Sequence, residues 1–306
     1  MVESASAGET RARLVAGETV LFLDTRGREW LRELRPGRRF SLASGAFDVD
    51  DVIGKPEGSI IRTHSGGELL VLRPSYGRLI PNLPRRAQVI YPKDAGAILV
   101  YADIRPGLRV VEAGVGPGAL TLALLRMLGA SGSLISIDRR EDHVAMARET
   151  VERFHGDAPG WQTIVAEAAD VLPGLDADRV LLDLPDPGAV IPAAARALRP
   201  GGILTCWVPT TLQLHAIQAA LSASGFFGAA QTFELMQRFW HVADRSVRPD
   251  HRMVAHTGFL TLAWRLATER PGAWPPPSRR EKARWADDPE AATTAKPPGD
   301  EPPADP

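Results

Sequence analysis

One apolar stretch constrains the fold more than any other, because it passes through three closely spaced glycines into a second apolar run. Residues 110–120 read VVEAGVGPGAL, with glycines at Gly114, Gly116 and Gly118. Glycine is favoured where the backbone needs positive φ and where a ligand approaches the main chain closely. The stretch therefore predicts a buried strand, a tight turn at a ligand site, and a helix over 119–128.

The spacing of these glycines separates two classes of ligand. It is G-x-G-x-G, whereas enzymes that bind dinucleotides use G-x-G-x-x-G. An acid two residues before the first glycine, here Glu112, is typical of S-adenosylmethionine (AdoMet) methyltransferases. AdoMet has no phosphate, and Glu112 is expected to lie near the ammonium of its amino-acid tail. A glycine-rich connection in another α/β protein is the alternative.

Three further predicted strands also lead into acids. The strands and their acids are 133–137 with Asp138, 163–165 with Asp170, and 179–182 with Asp183. Ligands of open parallel sheets bind outside the carboxyl ends of the strands, so these carboxylates are expected to share one edge. Asp138 is expected to accept the two ribose hydroxyls, and Asp170 is placed to take the adenine amino group.

Composition limits the possible partners. The net charge of the 306 residues is −1, so any binding of RNA has to come from local basic patches. The single cysteine, Cys206, lies in the apolar run 202–208 and is expected to be a buried thiol, without a disulfide or a cysteine-built zinc site. The absence of a long apolar run or a signal-like amino end predicts a cytoplasmic protein with no membrane contact.

Strands alternate with helices up to about residue 224, which requires a parallel sheet with right-handed crossovers. The predicted helices are 95–102 with Asp94 as N-cap, 119–128, 140–154, 189–198 and 210–224. Two strands at 231–238 and 257–264 have no helix between them and suit an antiparallel closing pair. The fold class is predicted to be α/β, a Rossmann-like class I methyltransferase sheet with a small N-terminal β domain.

Three segments are expected along the chain. Short, closely spaced strands predict a small β domain at 1–80, and the AdoMet-binding catalytic domain follows at 81–270. The proline-rich segment 271–306 is too poor in apolar residues to bury and is predicted to be disordered. Within the β domain, residues 26–39 hold six arginines against two acids. These arginines either face RNA phosphates, together with Arg85 and Arg86, or form a solvated strand surface.

Several segments outside the glycine motif carry a more specific signal. They are RRAQVIYPKD at 85–94, DLPDP at 183–187, SVRP at 246–249 and MVAHTGFL at 253–260. With EAGVGPGALT at 112–121, they make the chain resemble the tRNA (adenine-N1)-methyltransferases of the bacterial and archaeal type over about residues 18–265.

The resemblance implies methylation of N1 of adenosine 58 in the T-loop of tRNA, with AdoMet as methyl donor, by a homotetramer without a metal. With the acid and glycines of the motif, the expected cofactor contacts are Glu112, Gly114, Gly116, Pro117, Gly118, Ala119, Leu120, Asp138, His143, Asp170 and Asp183. The family commonly has an Asp-Tyr pair shortly after the Arg-Pro at 73–74. This chain has Arg78-Leu79 there, with Tyr76 nearby.

The chemistry needs little acid–base help, because in-line methyl transfer depends mainly on holding N1 about 3 Å from the methyl carbon. N1-methylation nevertheless leaves positive charge on the adenine until an N6 proton departs. A carboxylate facing N6 stabilises that charge and assists the departure. Asp183 is the expected catalytic residue, with Asp186 as second choice.

N1 lies on the Watson–Crick edge, so the target nucleotide must be turned out of its stack. Tyr76, Trp207 and Trp240 are candidates to stack on the base, and packing in the core is the alternative for each. Two other functions stay open: an AdoMet enzyme acting on a small molecule or a protein carboxylate, and a non-catalytic RNA-binding subunit. The intact glycine motif and Asp138 argue against the subunit, whereas only the family-specific segments argue against the other enzyme.

Overall fold

Antiparallel β structure and one α/β sheet make up the part of the chain that the computed structural model describes, which is residues 13–83, 88–270 and 274. The expectations for Arg85, Arg86 and, apart from position 274, the tail at 271–306 concern residues outside this part. Within the described residues, no helix is both long and apolar enough to cross a membrane.

A small β domain lies at the amino end, as the sequence predicts. Its strands are β1 (Thr19–Asp24), β2 (Glu29–Glu33), β3 (Arg39–Leu42), β4 (Gly45–Asp48), β5 (Ile60–Arg62) and β6 (Glu68–Leu72). Four of them form an antiparallel sheet in the order β2-β1-β6-β5, and β3 pairs with β4 in a separate hairpin. The hairpin closes over the sheet, because Phe47 packs against Phe22 with the ring centroids 4.8 Å apart.

The second part is an α/β structure built on one large sheet. Its helices are α1 (Tyr76–Leu79), α2 (Pro92–Tyr101), α3 (Ala119–Leu128), α4 (Glu141–Phe154), α5 (Ala168–Val171), α6 (Ile191–Ala197) and α7 (Thr211–Ser224). Its strands are β7 (Arg109–Ala113), β8 (Ser133–Asp138), β9 (Trp161–Val165), β10 (Ala177–Leu182), β11 (Leu198–Val208), β12 (Phe227–Glu234), β13 (Trp240–Ala243), β14 (Ser246–Pro249) and β15 (Phe259–Arg265).

Seven of these strands form a sheet in the order β12-β15-β11-β10-β7-β8-β9. The five strands from β11 to β9 are parallel, while β15 runs antiparallel to both of its neighbours. The Rossmann-like α/β prediction and the predicted closing pair are therefore confirmed. Because helices cover both faces, every residue of the central strand β10 is buried, as is usual for parallel sheets.

Two local predictions were wrong. Asp94 does not cap α2, because the helix begins at Pro92, whose fixed φ suits the first helical position. Asp94 is instead fully buried in the first turn, where Lys93 Nζ (2.7 Å) and Thr257 Oγ1 (2.6 Å) donate to its carboxylate. The strand predicted at 231–238 ends at Glu234, and an unpredicted hairpin of β13 and β14 follows it. Cys206 is buried, as expected.

Candidate active site

The three glycines of the turn between β7 and α3 meet different surroundings. Gly114 (φ 91°) lies so close to β10 that a Cβ would overlap the carbonyl oxygen of Asp183. A Cβ on Gly118 (φ 81°) would lie 2.9 Å from the Cα of Ala147, so this glycine lets α3 start close to α4. Gly116 (φ 50°) has open space beside it, with Gln88 O 3.9 Å from the position of a Cβ. Gly116 is thus the position where a ligand can approach the backbone.

A cleft of about 750 Å³ opens at the carboxyl edge of the parallel strands. Residues at or just after the carboxyl ends of β7, β8, β9, β10 and β11 line it, including Gly116, Asp138, Glu167, Asp183 and Trp207. This is the place where open α/β sheets bind ligands, and the volume lies within the range of small-molecule sites. The cleft therefore brings together most of the strand ends that the sequence singled out.

Asp138 is held in a fixed orientation at the end of β8. Its Oδ1 accepts from the backbone N–H of Arg140 (3.0 Å), and its Oδ2 accepts from Gly116 N (3.2 Å). His143 Nδ1 lies 3.1 Å from the same Oδ2. A carboxylate has about four acceptor positions, so one remains for a ribose hydroxyl. Accepting a second hydroxyl requires His143 to turn away.

Glu112 is not in the cleft. It is fully buried, and its Oε2 accepts from the hydroxyls of Thr121 (2.7 Å) and Ser136 (2.8 Å). Burial raises the pKa of its carboxyl to about 8. These hydrogen bonds join β7 to α3 and β8. Glu112 therefore stabilises the glycine turn between β7 and α3 from the interior of the protein, on the side away from the cleft. The geometry does not support the expected contact with the tail of AdoMet.

Asp183 follows β10 directly and lines the cleft. Its backbone N–H donates to Ala113 O (2.9 Å), which fixes the start of the loop. Burial, and after it the negative charge of Asp138, raises the pKa of the Asp183 carboxyl to about 7. Asp186 also lines the cleft but is exposed, and its Oδ1 accepts from Ala189 N (3.4 Å). Asp183 is thus the carboxyl best poised to exchange a proton near neutral pH.

Some expected contacts lie away from the cleft. Asp170 is exposed on α5 and does not line it, whereas Glu167 does. Sequence reasoning missed Glu167, although it stands only two residues after the end of β9. Ala119 and Leu120 are buried in the apolar core. Pro117 lines a different, smaller cavity beside the β domain.

The three aromatic candidates lie in three different environments. The hydroxyl of Tyr76 donates to Ala119 O (3.0 Å), so this ring packs on α3. Trp240 is on the β13–β14 hairpin and 59% exposed. Trp207 lines the cleft and is 4% exposed, and its indole N–H finds no hydrogen-bond partner in the described part of the chain. A Cβ on Gly258 would overlap the Trp207 ring. The backbone of Gly258 therefore packs directly against the indole and fixes its position.

A seven-stranded sheet of this order, with a ligand cleft at the carboxyl ends of its parallel strands, defines a class I methyltransferase. The family described as tRNA methyltransferase complex GCD14 subunit matches residues 69–248, and a second family, described as TrmI-like N-terminal, matches residues 13–61. The chain belongs to this tRNA methyltransferase family, so the resemblance inferred from the sequence is confirmed.

Individual relatives agree with this assignment. The tRNA (adenine(58)-N(1))-methyltransferase TrmI of Thermus thermophilus is 34% identical over 79% of this chain and 94% of its own length. A solved structure of a SAM-dependent O-methyltransferase from Thermotoga maritima has a TM-score of 0.82 at 29% identity, covering 87% of this chain and 100% of that one. The tRNA (m1A58) methyltransferase TrmI of Aquifex aeolicus has a TM-score of 0.74 at 25% identity, covering 84% and 100%.

Proposed function

We propose that this chain uses AdoMet to methylate N1 of adenosine 58 in the T-loop of tRNA. The observation that carries the proposal is one cleft lined by both an oriented carboxylate, Asp138, and a carboxyl with a pKa near neutrality, Asp183. The tRNA methyltransferase family and the activity named for the Thermus relative support the substrate.

The residues of the cleft fit AdoMet. Gly116 leaves space for a ligand beside its backbone, and the carboxylate of Asp138 faces the same cleft. We assign Gly114, Gly116, Asp138 and His143 to the cofactor, with Asp138 accepting from the ribose. When bound, AdoMet supplies an electrophilic methyl group on a sulfonium.

We assign Asp183 as the base that accepts the N6 proton of the methylated adenine. Adenine N6 becomes more acidic as N1 acquires positive charge, so an ionised carboxylate beside N6 both stabilises that charge and accepts the proton. A pKa of about 7 suits this task, because the carboxyl is about half ionised at neutral pH and still a useful base. The proton then leaves to solvent from the carboxyl.

Trp207 is the aromatic residue we assign to the target base. Its ring lines the cleft, and Gly258 packs against the Nε1 edge, so the ring and not the buried N–H is available to a base. Aromatic rings stack on bases of every kind, so the ring can hold the target adenine by its face. Pro185 and Asp186 line the same cleft, and Gln213 Nε2 donates to Pro185 O (2.8 Å), which fixes that part of the wall.

We also propose a homotetramer in the cytoplasm. The β13–β14 hairpin exposes Trp240, Val242 and Val247 at 59%, 70% and 62%, and apolar side chains grouped in this way favour burial against another copy. A tRNA substrate supports the cytoplasmic location. For the domains we propose the division expected from the sequence, with the β domain at 1–80, the catalytic domain at 81–270 and a tail at 271–306.

The direct test is methylation of tRNA with labelled AdoMet, followed by nuclease digestion and identification of the labelled nucleoside. We expect N1-methyladenosine from wild-type tRNA and no label in a transcript whose adenosine 58 is replaced by uridine. Label in a protein methyl ester or a small molecule, with none in tRNA, contradicts the proposal. That outcome would favour the O-methyl acceptor named for the Thermotoga structure.

A further inference from the structure

The β13–β14 hairpin and its flanks, residues 236–254, form a segment that we call the arm. Its strands pair in the register Trp240↔Pro249, His241↔Arg248, Val242↔Val247 and Ala243↔Ser246. Directly opposed residues of an antiparallel pair share a face, and successive pairs alternate between faces. One face of the arm therefore carries Trp240, Val242, Val247 and Pro249. The other carries Arg248 and His241.

The arm also carries several exposed arginines whose side chains make no ion pair or hydrogen bond within the described residues. It contains Arg238, Arg245, Arg248 and Arg252 against only two acids, Asp244 and Asp250. All four arginines are exposed, and within the described residues none of their side chains has an ion-pair or hydrogen-bond partner. Their charge is available to an anionic partner without breaking an existing contact.

Among the six arginines of the segment 26–39, Arg26 and Arg38 also have no side-chain partner in the described part of the chain, but the other four are engaged. Arg28 pairs with Asp24 (2.6 Å), and Arg35 pairs with Glu33 (2.8 Å). Arg39 contacts the ring of His64. A phosphate would have to compete with these partners, so the segment 26–39 offers less free charge than its six arginines suggest.

The arm is anchored beside the catalytic cleft. His256, which follows the arm, contacts Glu234 at the end of β12 through Nδ1 (2.8 Å). The other ring nitrogen lies 2.8 Å from Pro209 O, and Pro209 lines the cleft. The base of the arm is therefore fixed to one wall of the cleft, within reach of an RNA strand that delivers a nucleotide across that wall.

We propose that Arg248 on the basic face of the arm, and Arg245 in the turn between its two strands, bind phosphates of the tRNA substrate. This proposal rests on the proposed function and names the surface that holds its substrate. The apolar face can be buried against another copy while the basic face stays accessible, because the two sets of side chains point in opposite directions. Arginine suits the contact, since its planar guanidinium donates two parallel hydrogen bonds to a phosphate.

The test is the full-length double variant Arg245→Gln/Arg248→Gln, with tRNA affinity measured at several salt concentrations. Loss of two phosphate contacts should reduce the slope of log K against log[salt] by about 2, at about 0.9 per contact. Near 0.1 M salt, the Kd for tRNA should rise about tenfold or more. The affinity for AdoMet, measured without tRNA, should not change.

Two variants serve as controls. Arg26→Gln/Arg38→Gln removes the same charge from two exposed arginines of the β domain and should leave the salt slope close to that of the wild type. Arg245→Lys/Arg248→Lys keeps the charge and should retain most of the slope, because counterion release depends on charge.

Three results would overturn the inference. If the wild type methylates tRNA and the arm variant keeps its salt slope, the phosphates lie elsewhere while the proposed function stands. If sedimentation shows that the arm variant dissociates into smaller assemblies, the arginines hold copies of the chain together. If the β-domain control loses as much slope as the arm variant, the binding is spread over the surface. A wild type that neither binds nor methylates tRNA refutes the proposed function itself.

Discussion

The buried carboxyl of Glu112 makes the stability of this protein depend on pH in a defined direction. Burial raises its pKa from 4.5 to about 8, so the folded protein keeps a proton that the unfolded chain releases at lower pH. The contribution of Glu112 to stability is therefore largest below the unfolded pKa of 4.5, falls as the pH rises, and levels off above about 8. Each pH unit inside this window costs about 1.4 kcal/mol, and the whole window about 5 kcal/mol.

The perturbation that tests this is Glu112→Gln, which keeps the shape of the side chain and stays neutral at every pH. Thr121 and Ser136 can still donate to the amide oxygen. Urea unfolding at one fixed protein concentration should show that the wild type loses about 1.4 kcal/mol per pH unit relative to the variant between pH 5 and pH 7. The concentration is fixed because association shifts the apparent stability.

Asp183 contributes to the same trend but over a shorter window, because its pKa is about 7. Any further decrease in the free energy of unfolding of the wild type between pH 7 and pH 8 therefore comes mainly from Glu112. Glu149→Gln, at an exposed position on α4, is the matched control and should keep the wild-type slope. Parallel stability curves for the wild type and Glu112→Gln would mean that Glu112 is ionised in the folded protein, and the reasoning would be refuted.

Three further predictions concern the cleft. Asp138→Ala should weaken AdoMet binding at least tenfold, roughly the 1–3 kcal/mol of a charge-assisted hydrogen bond, and calorimetry that finds unchanged affinity removes Asp138 from the site. Single-turnover rates should rise with pH and level off above about 7 as Asp183 ionises; Asp183→Asn should be slower by about 10²–10⁴, and an unaltered rate excludes it as the base. Trp207→Leu should raise the KM for tRNA about fivefold or more, because base–aromatic stacking contributes about 1–3 kcal/mol, with AdoMet affinity unchanged, whereas weaker AdoMet binding would place the indole on the cofactor instead.

The parallel α/β class of the large sheet and its antiparallel closing pair could be predicted because their signals are local and periodic. The parallel strands contain short apolar runs, the predicted helices overlap those of the structure, and strands that alternate with helices require right-handed crossovers. The same logic placed Asp138 and Asp183 in one cleft. Asp138 is the last residue of β8 and Asp183 directly follows β10, so the geometry of the sheet alone brings them to the carboxyl edge.

The positions of Glu112 and Asp170 could not be read from the sequence. Glu112 lies within β7, where the partners of a side chain come from neighbouring elements, and Thr121 and Ser136 belong to α3 and β8. Asp170 lies beyond the end of β9 by enough residues for a short helix to form, which carries it away from the cleft. The β13–β14 hairpin was missed because nearly all of its side chains are exposed. Its sequence therefore lacks the apolar run that marks a buried strand.

The contact between Gly114 and the carbonyl of Asp183 has a consequence for how this enzyme can change. The turn beside the cofactor and the start of the loop that carries the proposed base are packed backbone against backbone, with no side chain between them to absorb a displacement. A substitution that shifts one therefore shifts the other. We expect variants selected for altered cofactor affinity to show an altered rate of proton transfer as well. Changes in the two properties should therefore occur together.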